Sequence, residues 1–188
     1  MPAALASGPP VESRTWDAGA LVKKKFAFMI CLVSIVAASA EIPNPLIDYR
    51  AFEADVSKVG KLREQRRVSE ADFIRMSKDP DTVVLDARSA GKFALLHVKG
   101  ARNLSLPDIT EDELARVIPS KSTRVLIYCN NNFLNAPEAF PTKRLEASLN
   151  IYTFNVLHSY GYTNVYELGP LLDIHKTRLT FEGSRPPR

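Results

Sequence analysis

The sequence predicts an α/β fold built on a parallel sheet, and three observations point to it. Arg124-Val125-Leu126-Ile127-Tyr128-Cys129 and Thr82-Val83-Val84-Leu85-Asp86-Ala87-Arg88 are continuous β-branched and aliphatic runs, the pattern of strands covered on both faces. Segments of helical period separate the strand-like runs, as βαβ connections require. The 188 residues, 45% of them hydrophobic, suffice for one domain with a proper core and some tail.

The elements follow in order. Pro43 to Pro45 form an extended entry, and Ile47, Phe52, Val56 and Val59 recur at helical spacing. They predict a helix over 46–58 with Gly60 at its C-cap. Residues 61–67 are polar and unassigned. Ser69 is an N-cap with Asp72 in the acidic first turn; Phe73, Ile74 and Met76 pack, and Asp79-Pro80-Asp81 ends that helix. A strand over 83–85, a short helix over 90–96 and a short strand at 103–105 come next. Thr110 with Glu113 reads as a capping box opening a helix over 111–117. The central strand is 124–128. Residues 130–147 contain Pro137 and Pro141 and read as a loop. Ile151, Phe154, Leu157 and Tyr160 share one side of a helix over 148–160, which Gly161 stops. A last strand covers 164–168, one helical turn covers 171–175, and the remainder frays. There are no internal repeats, low-complexity tracts or heptads.

The segment 23–40 reads as an export signal: Lys23-Lys24-Lys25, then an apolar run from Phe26 to Ala37, then Ala38-Ser39-Ala40 as a small-residue cleavage pattern. The run falls short of the roughly 20 apolar residues that a spanning helix prefers, so an uncleaved membrane anchor is the alternative. Residues 1–21 are an odd polar preface, consistent with a true start near Val22. Cleavage after Ala40 gives an exported protein, periplasmic in a Gram-negative bacterium, with no stable membrane span. Cys31 leaves with the signal, so Cys129 alone remains and an intramolecular disulfide is excluded. A single thiol in an oxidising compartment is a liability unless it is buried or used.

The net charge is +4, and basic and acidic residues are interspersed. Arg63, Arg66 and Arg67 are the one short basic cluster, read as a solvated helix face. Nothing suggests nucleic-acid binding. No His, Cys or Asp cluster has metal-ligand spacing, no glycine loop suits a phosphate, and no cofactor is implied.

Cys129 is the candidate for chemistry. Free cysteine usually packs as a small hydrophobe, and that is the plain alternative. Against it, Cys129 closes a strand at the carboxyl edge of the sheet, where ligands bind in open α/β folds. Asn130, Asn131 and Asn132 follow, and asparagine tolerates backbone conformations that converge successive N–H groups on one point. Such a ring favours a thiolate and cradles an anion. The expectation is a solvent-facing sulfur at the mouth of that ring.

Several segments, taken in order, resemble the rhodanese homology domain: Val84-Leu85-Asp86-Ala87-Arg88; Phe93; His97-Val98-Lys99-Gly100-Ala101-Arg102-Asn103-Leu104; Val125 to Cys129; and Tyr160-Gly161-Tyr162-Thr163-Asn164-Val165-Tyr166-Glu167-Leu168. The likeness spans roughly 67–173. It implies a three-layer, rhodanese-like fold with a five-stranded parallel sheet flanked by helices, in an exported single-domain protein. The domain plan is an extension and signal over 1–40, a helical extension over 41–66, the rhodanese-like domain over 67–175 and a tail over 176–188. It further implies a sulfurtransferase cycle in which Cys129 is nucleophile and persulfide carrier. The backbone of Asn130 to Phe133 would cradle a small anionic sulfur donor, with a thiol, a cyanide-like nucleophile or a protein as acceptor. Asp86, Arg88 and His97 are supports rather than catalysts; His158 and His175 look incidental.

The chain departs from that family where it matters. The family's loop after the cysteine is short, contains Gly and closes with Arg. Here it is enlarged and reads Asn130-Asn131-Asn132-Phe133-Leu134-Asn135. Lys143 and Arg144 lie in the insertion and are expected to fold back and supply the missing cation. The competing reading is a non-catalytic rhodanese-like binding module. A cysteine phosphatase or arsenate reductase ranks last, since it too wants a loop-closing Arg.

Overall fold

A computed structural model describes residue 42 and residues 44–186 of the chain. Helix α1 (Tyr49–Gln65) opens with the Asp48 carboxylate accepting the Ala51 N–H at 2.8 Å. It runs seven residues past the predicted end at 58. Gly60 does not stop it, since a helical Gly costs only about 1 kcal/mol. Tertiary contacts offset that cost: Val59 is buried in the core, and Arg63 on the next turn binds a buried carboxylate.

Next come β1 (Arg67–Val68), α2 (Glu70–Ser77), β2 (Thr82–Asp86), α3 (Ala90–Leu95), β3 (His97–Val98) and β4 (Arg102–Asn103). Ser69 caps α2 by accepting the Asp72 N–H as predicted, and Thr110 caps α4 (Glu111–Val117) by accepting the Glu113 N–H, but the expected box is only half made, since the Glu113 carboxylate turns to Arg116. Strand β5 (Arg124–Tyr128) has the predicted bounds. A 3-10 turn (Asn130–Asn132) and β6 (Phe133–Leu134) lie inside the stretch read as loop. Helix α5 (Leu149–Ser159) ends where Gly161 adopts φ +84°. Strands β7 (Val165–Leu168), β8 (Leu172–Asp173) and β9 (Phe181–Glu182) complete the chain.

Strands β1, β7, β5, β2 and β4 form, in that order, one five-stranded parallel sheet. Alternate residues point to opposite faces. Val83, Leu85, Val125, Ile127 and Val165 pack with Val59 of α1, Leu114 of α4, and Phe154 and Leu157 of α5. Val84, Leu126, Tyr128 and Leu168 pack on the other face with Phe73 and Met76 of α2. Burial on both faces is why β2 and β5 read as unbroken apolar runs. Because every strand is parallel, the ends of β2, β5 and β7 share one carboxyl edge.

Two expectations fail at the carboxyl end of the chain. Residues 171–175 do not form a helical turn; β8 pairs with β6, Phe133 opposite Leu172. The segment after 176 does not fray within the described residues, since β9 pairs antiparallel with β3. Phe181 meets Phe133 edge-on at 5.2 Å and sits 6.4 Å from Phe140. The local sequence there has little propensity of its own, and the aromatic contacts decide its path. The export signal lies outside the described residues, and no helix among those described is long and apolar enough to cross a membrane.

Candidate active site

Cys129 follows β5 directly, in extended conformation, and opens the Asn130–Asn132 turn. Period-two alternation sets it on the face of Val125 and Ile127, under α1 and α5. Asn132 ties the surroundings together. Its Oδ1 accepts the Cys129 N–H at 2.8 Å and an Asn150 Nδ2 hydrogen at 3.1 Å. Its Nδ2 donates to the carbonyls of Leu168 and Pro170 at 2.8 and 3.1 Å. The ends of β5 and β7 and the start of α5 are thereby fixed to one another.

The predicted solvent-facing sulfur is not found: Cys129 is only 1% exposed. Nor do all the predicted amides converge on it. The Phe133 N–H donates to the Asn130 carbonyl, while the Asn132 N–H faces both the Cys129 carbonyl and the Cys129 side chain. The asparagines close a 3-10 turn because their side chains satisfy neighbouring backbone instead: Asn131 exchanges two 2.9 Å bonds with the Lys143 backbone. The Phe133 side chain is buried in the aromatic cluster.

The thiol is not sealed in hydrocarbon either. It lines a cleft of about 230 Å³ with Ser148, Asn131, Asn150, Arg63, Arg67 and Glu167. Ser148 holds the N-cap of α5 without making a capping bond, and its Oγ lies 3.4 Å from the Cys129 Sγ. The helix N-terminus there favours negative charge. Asn150 is 4% exposed, and its Oδ1 has no partner among the described residues.

Lys143 and Arg144 do not join this cleft. Arg144 is exposed and faces Glu146 at 3.8 Å, while Lys143 lines a separate cavity with Arg88, Asn130 and Leu149. The cations in the cleft come from the cluster read as a solvated face. Arg63 Nε and Nη2 each reach a Glu167 oxygen at 2.7 Å, and Arg67 Nε reaches the same carboxylate at 3.0 Å. Burial pushes the Glu167 carboxyl up from its ordinary value, and Arg63 and then Arg67 pull it partway back. A signal existed for this: Glu167 interrupts the apolar strand Val165–Leu168, and a carboxylate inside a buried strand demands a cationic partner.

Asp86, Arg88 and His97 sit apart from the sulfur. Arg88, 2% exposed, pairs with Asp86 through Nε at 2.9 Å and Nη2 at 2.5 Å. It also donates to the carbonyls of Leu96 and Ala139, each at 2.8 Å. The Tyr128 hydroxyl donates to Asp86 at 2.5 Å, and burial, reinforced by the Asp86 charge, pushes that phenol well above its ordinary value. This network ties the insertion to the strand ends. His97 stacks on Phe93 at 3.7 Å, with its Nδ1 2.8 Å from the Phe93 carbonyl. Among the described residues no group of His, Cys, Asp and Glu could hold a metal ion.

Residues 69–169 match the family model of the Rhodanese-like domain. The chain belongs to the rhodanese-like domain family. No curated protein matches the sequence. Among solved structures, the BH2092 protein from Bacillus halodurans is 22% identical, with 70% of this chain and 85% of that one covered and a TM-score of 0.47. A rhodanese with anions from E. coli is 20% identical over 55% of this chain and 99% of that one, at a TM-score of 0.35. A thiosulfate sulfurtransferase from Pseudomonas aeruginosa is 18% identical over 63% of this chain, at a TM-score of 0.43, and this chain spans 20% of its length. In this rhodanese-like domain the cleft beside the cysteine takes its positive charge from Arg63 and Arg67, both upstream of the matched residues.

Proposed function

We propose that the protein is a sulfurtransferase that carries sulfane sulfur as a persulfide on Cys129. The observation that supports this reading best is the position of the sulfur. It lies at the carboxyl edge of the sheet, beside the Ser148 hydroxyl and the start of α5, in a polar cleft rather than inside either core. The Cys129 thiolate attacks the outer sulfur of a small anionic donor such as thiosulfate. A new S–S bond forms, the donor's own S–S bond breaks, and sulfite leaves with the electron pair. A thiol, cyanide-like or protein acceptor then attacks the outer sulfur, takes it, and returns the Cys129 thiolate. The cycle is covalent catalysis with a ping-pong order. Asn132 fixes the Cys129 backbone, and Ser148 donates a hydrogen bond to the anionic sulfur.

Incubation with thiosulfate is expected to add about 32 Da, one sulfur atom, which cyanide removes and Cys129→Ser abolishes. A second reading is a binding module without turnover; the Phe133 amide, committed to the Asn130 carbonyl inside the turn, favours it. Absence of any adduct with thiosulfate or other sulfane donors would establish that second reading over the first. Export through the segment ending at Ala40 is part of the proposal, and amino-terminal sequencing of the native protein checks it: a mature terminus upstream of Lys23 would overturn it.

A further inference from the structure

We propose that Arg63 and Arg67 bind the oxyanion end of the sulfur donor, so that α1 and β1, upstream of the family match, form part of the substrate site. The inference rests on the Cys129 reading above and adds to it the residues that choose an anionic substrate.

Four observations carry it. Both arginines line the same cleft as Cys129, Ser148 and Asn150. The register sets Glu167 beside Ile127, and Cys129 lies two residues further along the same face. The Cα atoms of Glu167 and Cys129 are therefore roughly 8 Å apart, from the strand rise and spacing. Charge is the third. Two guanidiniums face one carboxylate, so the arginines balance an ionised Glu167 with one positive charge left over for the thiolate or an anion. Donor capacity is the fourth. A guanidinium offers five N–H groups. Arg63 commits Nε and Nη2 to Glu167, and Arg67 commits Nε to Glu167 and Nη2 to the Gly169 carbonyl. The Nη1 group of each has no partner among the described residues. The side chains of Arg63 and Arg67 are 26% and 50% exposed against 2% for Glu167, so the carboxylate orients the pair from below while solvent and solute reach it from the cleft.

The test uses the Cys129→Ser chain, which binds but cannot turn over, titrated with thiosulfate and with sulfate by calorimetry or by amide chemical shifts. Saturable one-to-one binding is expected, with Asn131, Ser148 and Gly169 shifting. Arg67→Ala in that background is expected to weaken binding on the order of tenfold, the loss of one charged hydrogen bond, and Arg67→Lys to keep part of it. Glu167 remains held by Arg63 in these variants, and Arg67→Gln with a melting curve guards against misfolding. No saturable binding, or equal affinity in the folded Arg67 variants, overturns the proposal. Arg67-dependent binding without a sulfur adduct on the native chain keeps the anion site and removes sulfur transfer. Adduct formation with unchanged half-saturation in Arg67→Ala does the reverse.

Discussion

Replacing Arg88 with Met isolates the interaction that fastens the insertion to the sheet. Arg88 is 2% exposed and Asp86 0%. Nε and Nη2 of Arg88 hold both carboxylate oxygens, Nη1 and Nη2 hold the carbonyls of Ala139 and Leu96, and the guanidinium lies 4.0 Å over the Phe140 ring. Methionine keeps much of the volume but leaves a buried carboxylate facing only the Tyr128 hydroxyl and one backbone N–H. Breaking a buried pair in this way costs about 3–5 kcal/mol, a large part of the ~5–15 kcal/mol that stabilises a typical domain. At about 2–4 °C per kcal/mol for a chain of this size, the melting point should fall on the order of 10 °C. Urea unfolding followed by far-ultraviolet circular dichroism measures the loss. A double-mutant cycle with Asp86→Asn should return a coupling above ~2 kcal/mol, since the partners touch. A loss below ~1 kcal/mol for Arg88→Met would refute the reasoning, because the pair would then contribute no more than a surface contact.

Phe140→Ala should cost ~3–5 kcal/mol by the same unfolding assay, because the ring is 1% exposed and packs at 4.6 Å on Phe133. Gly183→Ala should release β9 from β3: at φ +134° an added Cβ would lie 2.5 Å from the Leu95 carbonyl, and faster amide exchange at Lys99, whose N–H donates to the Thr180 carbonyl, would register it. The Glu70 carboxyl accepts from the Thr177 hydroxyl and the Arg178 N–H. Burial raises its pKa, but those donors, with the Arg178 charge, outweigh burial and hold it below the ordinary glutamate range. Its contribution is therefore complete above that range and lost as pH falls through the lower folded value. Proteolysis at the 177–182 segment should accelerate in acid, and Glu70→Gln should remove that acid dependence.

Four of the five strands of the parallel sheet, β2, β4, β5 and β7, and the helices that cover them were legible because each carries its own pattern; the two-residue strands β1, β3, β6, β8 and β9 carry none and were not. Arg124 to Tyr128 is apolar without a break since both its faces are covered, and Thr110 with Glu113 announces a helix start through local hydrogen bonds. Cys129 could be placed at the carboxyl edge on the same grounds. Its exposure could not, because that depends on where Ser148 and the cleft-lining loop return, about twenty residues later. Lys143 and Arg144 looked suitable as cations from sequence distance alone, yet the two Asn131 bonds to the Lys143 backbone hold that segment in another direction.

What the residues alone determined, then, was an α/β sheet with a lone thiol at one edge, since periodicity and capping are written over a few neighbouring positions. What only the tertiary structure decided was the company that thiol keeps. Arg63 and Glu167 are 104 residues apart, and β9 reaches β3 across more than eighty positions. No local pattern encodes such pairings; they form where packed helices and sheet register bring distant, otherwise unsatisfied charges and rings together.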